Sequence, residues 1–260
     1  MFKHIHIVAC SPRSGTTLLH EVMVTCFTID KHYDHEIRFH LADAEDGQTL
    51  ITKRPKDTMY MPALIKDDPE LYVIYVMRDP RDTICSRHGK DKSIYYSNIR
   101  LWRQMHGYAR QMSRNERFLE IRYEDFVRDP DATQEVIAAK FPWLEKIHNF
   151  SEYHEYAKVS EKSVRAMHSV RPIAPTSVGV WTQNPGRIKA QQMLHGSLTP
   201  ELIECGYESS GDWEKVLEEV EPDVTRSLYP EKLTIWSRLS QYLNGLRKIA
   251  KYRRLRRNSR

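Results

Sequence analysis

Residues 11–17 read Ser11-Pro12-Arg13-Ser14-Gly15-Thr16-Thr17 and follow directly on the apolar run from Ile5 to Cys10. The apolar run predicts a buried strand, and the apolar residues spaced along the chain after Thr17 predict a helix. A strand, a short loop and a helix N-terminus in this order direct several backbone N–H groups at one point, which suits a phosphate group. The segment therefore predicts an anion-binding loop at the end of a buried strand.

This loop differs from a Walker A loop, which has the pattern G-x-x-x-x-G-K-[ST]. If Gly15 matches the second glycine of this pattern, the first glycine is replaced by Cys10 and the lysine by Thr16. The cation of this loop is instead Arg13, two residues before the glycine. A cation upstream of the glycine, with two hydroxyls after it, favours a nucleotide whose chemistry is not γ-phosphoryl transfer. A P-loop nucleotide kinase or other NTPase is the alternative, and the missing lysine counts against it. A non-catalytic binding module predicts a degraded loop, whereas this loop is intact.

A second motif begins where the most apolar run of the chain, Leu71 to Met77, ends. It reads Arg78-Asp79-Pro80-Arg81-Asp82-Thr83-Ile84-Cys85-Ser86. Ligands collect at the carboxyl ends of strands in open α/β sheets, and an arginine with a hydroxyl can clamp one phosphate. The same residues also suit a simple helix start, in which the aspartates cap the helix and Arg78 forms an ion pair.

Apolar runs and helical spacing alternate along the chain. Strands are predicted at 3–10, 49–53, 71–77 and 118–121, with helices after residue 15, at 57–66, from residue 80, at 94–114 and from residue 130. This alternation predicts an α/β fold, with a P-loop-like central parallel sheet, helices on both faces and a single domain. We assign residues 1–230 to this domain and residues 231–260 to a C-terminal amphipathic helix with a basic tail.

The composition restricts the class of protein. The chain has 260 residues, 40% of them hydrophobic, which is enough for a core. A run of about 18 apolar residues, as a membrane span needs, is missing. The N-terminus enters the first strand at once, which leaves no room for a signal peptide. Four widely spaced cysteines indicate reduced thiols and a cytoplasmic location.

The net charge of +5 comes from the C-terminus, where residues 247–260 hold eight basic and no acidic side chains. Without these eight, 32 of the 40 basic residues remain against 35 acidic ones, so we expect no nucleic-acid partner. Apolar residues at helical spacing over 233–249 precede the basic end. They predict either a helix on an anionic membrane surface, or a helix whose first half packs on the body while its basic end is solvated.

Together and in this order, the motifs resemble the sulfotransferase family that uses 3′-phosphoadenosine-5′-phosphosulfate (PAPS). Residues 12–17 resemble its 5′-phosphosulfate loop, and residues 78–86 resemble its 3′-phosphate motif. Further matches are Arg122-Tyr123-Glu124-Asp125-Phe126, Ser177-Val178-Gly179-Val180-Trp181 and Leu198-Thr199-Pro200-Glu201 before Cys205-Gly206-Tyr207. The resemblance extends from residue 3 to about residue 215. It is closer to the bacterial and tyrosylprotein branches than to the cytosolic branch. The cytosolic branch has a lysine where this chain has Arg13, a tryptophan where it has Leu18, and a lysine–threonine–histidine motif that is missing here.

The resemblance implies transfer of a sulfuryl group from PAPS to a hydroxyl or amine, without a required metal. Tyr123 would hold the adenine end and Trp181 would close over the cofactor, although simple packing suits either residue. The implied cofactor-binding residues are Arg13, Ser14, Gly15, Thr16, Thr17, Arg78, Ser86, Tyr123, Gly179 and Trp181.

Three residues are candidates for catalysis. Arg13 would stabilise the charge that develops on the leaving oxygen, and Lys53 would assist from the next strand. A general base is needed for the acceptor, and Glu36 is the first choice because the tyrosylprotein branch carries a glutamate there. Asp34 and His35 stay open as alternatives. The acceptor itself stays open between a carbohydrate, a tyrosine, a lipid and a small alcohol.

Overall fold

Four parallel strands form the sheet of this protein: β1 (Lys3–Ala9), β2 (Thr49–Lys53), β3 (Leu71–Met77) and β4 (Phe118–Arg122). A computed structural model describes residues 1–258 of the chain. The strand order is β2-β1-β3-β4, and every neighbouring pair is parallel. Parallel order requires a crossover between successive strands, and helices provide these crossovers. The predicted α/β fold with a parallel sheet is confirmed.

Eleven α-helices lie within the described residues. They are α1 (Thr16–Cys26), α2 (Met61–Asp67), α3 (Pro80–Ile84), α4 (Ile99–Arg110), α5 (Tyr123–Arg128), α6 (Pro130–Lys140), α7 (Tyr153–Tyr156), α8 (Glu161–Met167), α9 (Pro185–His195), α10 (Thr199–Glu204) and α11 (Ile235–Asn258). Proline occupies the first turn of α3 and α6, and an aspartate caps each of these helices at the preceding residue.

Side chains alternate between the two faces of the sheet and build a core on each. On β1, Ile5 and Ile7 belong to one apolar cluster with α1 and α6. Val8 belongs to the opposite cluster, which includes α2 and α4 and also Tyr252 of α11. Helices therefore cover both faces, as the alternation of strands and helices predicted.

The C-terminal helix α11 packs on the body through its basic half. Tyr252 is 1% exposed, and its hydroxyl donates a 2.6 Å hydrogen bond to Asp68. Arg256 lies 2.6 Å from the same carboxylate, and Arg253 lies 2.6 Å from Asp67. The expectation that the first half would pack and the basic end would be solvated is therefore corrected, because two aspartates at the end of α2 hold the basic end. The last predicted tail residue, Arg260, lies outside the described residues.

The first half of α11 leaves its apolar side chains in solvent. Ile235 is 82% exposed and Trp236 is 80% exposed, and the same outward side carries Leu239, Tyr242, Leu243 and Leu246. None of the helices over residues 1–258 combines the length and the hydropathy of a transmembrane span. All four cysteines are free thiols.

Candidate functional site

A cavity of about 450 Å³ opens at the carboxyl ends of β1, β2 and β3. Two sets of residues face each other across it. The first set, here called the floor, comes from the sheet ends and the first loop: Pro12, Arg13, Gly15, Thr16, Thr17, Leu18, Lys53, Arg78, Ser86 and Tyr123. The second set, here called the rim, comes from the segment after α1, the end of α8 and the irregular segment that follows α8: His35, Glu36, Ala166, Met167, His168, Ser169, Arg171, Pro172, Ile173, Ala174, Thr176 and Ser177.

The loop of the floor turns sharply before α1. Arg13 has φ 74° and Gly15 has φ 89°, so both adopt the left-handed conformation. A Cβ atom on Gly15 would lie 2.5 Å from the ring of Tyr123, which explains the glycine. Within residues 1–258, no side chain caps the N-terminus of α1. Its first N–H groups are therefore available to an anion in the cavity.

Arg78 directly follows β3 and stabilises the loop through hydrogen bonds. Its guanidinium donates a 2.8 Å hydrogen bond to the Arg13 carbonyl and another to the Ser177 carbonyl, and it lies 4.2 Å from the centre of the Tyr123 ring. The Nε of Arg78 is buried and has no hydrogen-bond partner among the described residues. An unsatisfied buried donor is costly, so this atom suits a ligand that brings an acceptor.

Arg13 and Ser86 connect the two sequence motifs. The Nε of Arg13 donates a 3.0 Å hydrogen bond to the Ser86 hydroxyl. Burial, and next the charge of Arg78, lower the pKa of Arg13. The structure thus brings Arg13, Arg78 and Ser86 together as the sequence predicted, but the partner of Ser86 is Arg13. The Arg78 guanidinium is buried and lies 3.8 Å from Asp82, and Arg13 beside it is half-buried, so two cations share one carboxylate and further negative charge would stabilise them.

Lys53 occupies the end of β2, next to the loop. It is 1% exposed, and its Nζ donates a 2.7 Å hydrogen bond to the Thr17 hydroxyl. Burial lowers the pKa of Lys53, and the charges of Glu36 and Glu21 oppose this shift. Lys53 and Thr17 are therefore in contact where the floor meets the rim, and the charge of Glu36 acts on Lys53 from the rim.

Residues 23–141 match the sequence model of the Sulfotransferase family. Over this part, a little under half of the chain, the protein is similar to the sulfotransferase family. The resemblance read from its motifs is therefore confirmed, and the P-loop kinase alternative is not favoured. No curated protein sequence is significantly similar to this chain.

Three solved structures illustrate its similarities. The sulfotransferase domain of the Synechococcus PCC 7002 olefin synthase is 15% identical, with 70% of this chain and 87% of that chain covered and a TM-score of 0.48. The sulfotransferase domain of the curacin biosynthetic pathway is 14% identical, with 71% and 97% covered and a TM-score of 0.39. Retinol dehydratase in complex with androsterone and the inactive cofactor PAP is 12% identical, with 88% and 83% covered and a TM-score of 0.42.

The rim brings two of the three base candidates to the cavity. His35 and Glu36 line it. Glu36 is exposed, and its charge, after the larger effect of burial, raises the pKa of Tyr96 on the opposite wall. Asp34 is not part of the lining, and its carbonyl accepts a 3.0 Å hydrogen bond from Ser160. The geometry therefore favours Glu36 or His35 over Asp34.

The rim also contains a cation that sequence reasoning missed. Arg171 is exposed and lines the cavity between Ser169 and Pro172. It lies in an irregular segment without a helix or strand pattern, and His168 at its start has φ 71°. The only signal in the sequence is an arginine before a proline in a polar region, which is too common to indicate a site.

Three predicted binding residues lie beside the cavity but do not line it. Ser14 is buried, and its hydroxyl donates a 2.7 Å hydrogen bond to the Ser11 carbonyl. The N–H groups of Gly179 and Trp181 each donate a 2.9 Å hydrogen bond to Asp82. Asp82 therefore holds the backbone of the loop that contains Gly179 and Trp181.

The Trp181 side chain packs in a separate apolar cluster. Its ring is 8% exposed, lies 5.8 Å from the ring of Trp213, and has the guanidinium of Arg81 4.3 Å from its centre. The ring therefore packs in this cluster and does not line the cavity, as the packing alternative expected, while a role for Trp181 over the cofactor stays a prediction. Over residues 1–258, no group of three or more His, Cys, Asp or Glu side chains is placed to hold a metal ion.

Proposed function

We propose that this sulfotransferase transfers the sulfuryl group of PAPS to a hydroxyl or amine of an acceptor. The observation that carries the proposal is the convergence of Arg13, Arg78 and Ser86 on one cavity at the N-terminus of α1. PAPS, when bound, supplies the activated sulfuryl group and a nucleotide leaving group. A nucleotide with phosphates at both ends needs two anion sites, and the two motifs offer one each.

The floor residues divide between these two anion sites. The loop N–H groups and Arg13 would hold the phosphosulfate end, because the helix dipole and a fixed cation both favour negative charge there. Arg78 and Ser86 would hold the 3′-phosphate, and the unpartnered Nε of Arg78 fits that role. The ring of Tyr123 packs between Gly15 and Arg78 and keeps both in place.

The rim would serve the acceptor. Glu36 would take the proton from the acceptor hydroxyl, and Lys53 would stabilise negative charge at the junction of floor and rim. The segment from Ala166 to Ser177 covers the opposite side of the cavity and would limit the access of water.

Calorimetry of nucleotide binding tests the proposal. We expect 3′-phosphoadenosine-5′-phosphate (PAP) to bind much more tightly than ADP. A charge-assisted hydrogen bond is worth about 1.5–3 kcal/mol, so Arg78→Ala should weaken PAP binding by one to two powers of ten. Arg114→Ala, at an exposed arginine far along the chain, is the control and should bind PAP as the wild type does. Equal affinity for PAP and ADP would refute the proposal.

We also propose that α11 places the enzyme peripherally on an anionic membrane on the cytoplasmic side. The six exposed apolar residues of its first half occupy its outward side, the helix contains no acidic residue, and Arg247, Lys251 and Arg254 follow. An apolar strip next to basic residues fits a lipid surface, where each basic side chain contributes about 1 kcal/mol.

Vesicle sedimentation tests this surface. Trp236→Ser/Leu243→Ser should abolish binding to vesicles rich in phosphatidylserine, and binding of the wild type should weaken at high salt. Both changes are at exposed positions, so the fold should persist, and PAP binding checks this. Wild-type protein that stays in the supernatant at low salt would refute the membrane proposal, and self-association lost in the double variant would assign the surface to a second copy instead.

A further inference from the structure

A second cavity, of about 200 Å³, lies between the segment after β2, helix α4 and the inner side of α11. Its walls carry four cationic side chains, from Arg54, Lys56, Arg100 and Lys248. Asp57 is the single carboxylate among its lining residues. That carboxylate is 1% exposed and already lies 3.5 Å from both Arg54 and His6. The cavity is therefore strongly electropositive.

Three of these cations lack a carboxylate partner. Across residues 1–258, neither Lys56 nor Arg100 nor Lys248 forms an ion pair with an acidic side chain. Lys248 donates a 3.0 Å hydrogen bond to the Tyr60 hydroxyl, and Arg100 donates a 2.9 Å bond to the Pro230 carbonyl. The Lys56 ammonium lies 4.2 Å above the ring of Tyr229.

Lys56 is affected by the charges of the neighbouring cations. Burial, and then the charges of Arg54, Lys248 and Arg100, lower the pKa of Lys56. Asp57 opposes this shift, but it already lies 3.5 Å from Arg54. The half-buried cations therefore remain in excess, and an added anion would stabilise them. The arrangement is that of a site prepared for an anionic group.

The second cavity shares a wall with the first. Pro55 lines the first cavity, while its neighbours Arg54 and Lys56 line the second. Tyr96 lines the first and Tyr229 lines the second, and their rings lie 6.1 Å apart. The charge of Glu36 acts on both tyrosines. The basic cavity thus adjoins the part of the first cavity where Glu36 and Lys53 meet.

We propose that the second cavity binds an anionic group of the acceptor, a carboxylate, sulfate or phosphate ester, while a hydroxyl of the same acceptor lies beside Glu36. This inference rests on the proposed sulfuryl transfer. It narrows the acceptor to a molecule that carries both a hydroxyl and an anion. Lys56 and Arg100 are its specificity-determining residues.

Matched acceptors test the subsite. With labelled PAPS, transfer to p-nitrophenyl glucuronide is compared with transfer to p-nitrophenyl glucoside, which differs by the carboxylate. Phosphatidylglycerol vesicles provide a second, lipid-borne anion. The variants are Lys56→Gln and Lys56→Gln/Arg100→Gln, and the control is Lys66→Gln/Arg114→Gln, which removes two exposed charges elsewhere.

We expect the wild type to prefer the glucuronide or the phosphatidylglycerol to the glucoside. Lys56→Gln should raise the KM for the preferred acceptor by about tenfold, since a charge-assisted contact is lost. Turnover of the glucoside and PAP binding should stay unchanged, and the control should match the wild type. A response to the glucuronide alone identifies a soluble acceptor, and a response to the vesicles alone identifies a lipid.

A binding experiment separates this inference from the proposed reaction. With saturating PAP in the first cavity, calorimetry should detect glucuronide binding that is lost in Lys56→Gln. Equal glucuronide binding by wild type and Lys56→Gln, or equal KM changes for glucuronide and glucoside, would overturn the subsite. Failure to bind PAP would instead overturn the proposed function. In that case glucuronide binding to the wild type and to Lys56→Gln, measured without PAP, would decide whether the subsite exists.

Discussion

The floor and the rim of the first cavity are built in different ways. The floor lies at the ends of buried parallel strands, and its side chains bond to one another: Arg13 to Ser86, Lys53 to Thr17, and Arg78 to the Arg13 carbonyl. The rim comes mostly from irregular segments, together with the end of α8, and its residues are exposed or half-exposed. The segment 168–179 contains neither a helix nor a strand in the described chain.

This difference separates two tasks. Side chains fixed by packing and hydrogen bonds are pre-organised, so the floor suits a ligand that is the same in every reaction cycle. Loosely packed segments have low local stability and can adapt, so the rim suits closure and the choice of acceptor. The floor should therefore govern donor binding and charge stabilisation, and the rim should govern the acceptor.

The largest effect is expected on the rim, from Glu36→Gln. The change keeps the shape and removes the base, and general base catalysis contributes about 10²–10⁴ in rate. We expect kcat to fall within this range while PAP affinity is unchanged, as measured by initial rates and calorimetry. Glu45→Gln, at an exposed glutamate in the same polar region, is the control. Near wild-type activity in Glu36→Gln together with an inactive His35→Ala would move the base to His35.

A slightly smaller effect is expected on the floor, from Arg13→Ala. Loss of one pre-organised donor at a developing charge costs about 10²–10³ in kcat. The ground-state affinity for PAP should fall less, because the loop N–H groups and Arg78 remain. Steady-state kinetics and PAP calorimetry on the same preparation measure both quantities. A variant that loses only affinity and keeps full kcat at saturation would make Arg13 a binding residue.

Substitutions at two glycines test whether the floor is more rigid than the loop beside the rim. Gly15 and Gly179 both have positive φ, but a Cβ meets the Tyr123 ring at Gly15 and nothing within 4 Å at Gly179. Left-handed backbone costs an alanine about 1–2 kcal/mol, and overpacking adds about 1–3 kcal/mol. Gly15→Ala should therefore lower the free energy of unfolding by more than Gly179→Ala does, in denaturant titrations. Equal losses would show that Tyr123 yields, and that the floor is less rigid than its contacts indicate.

The smallest effect concerns pH at the junction of floor and rim. Burial lowers the pKa of Lys53 from 10.5, so its charge is lost at a lower pH than that of a free lysine. We expect kcat/KM to decline on the alkaline side below pH 10.5. Lys53→Arg keeps its charge at this pH and should move the decline upward. An unchanged alkaline limb in Lys53→Arg would assign it to another group.

The sequence alone predicted the sheet and the positions of both phosphate motifs. Buried parallel strands are local apolar runs, and Leu71–Met77 is a strand with the predicted bounds. The helix predicted over 94–114 is Ile99–Arg110 instead. Its expected first turn pairs elsewhere, since the Tyr95 N–H donates to the Arg226 carbonyl and the Leu228 N–H donates to the Tyr95 carbonyl. The spacing of apolar residues cannot reveal a hydrogen-bond partner, Arg226, that lies 131 residues away in the sequence.

The tertiary structure alone decided which charged and aromatic side chains meet. It paired Arg13 with Ser86, packed Trp181 against Trp213, docked the basic end of α11 on Asp67 and Asp68, and gathered the cations of the second cavity. Strand and loop patterns are fixed by neighbouring residues and by the period of burial, so they can be read locally. The partner of a long polar side chain depends on segments that approach only when the sheet and its helices pack.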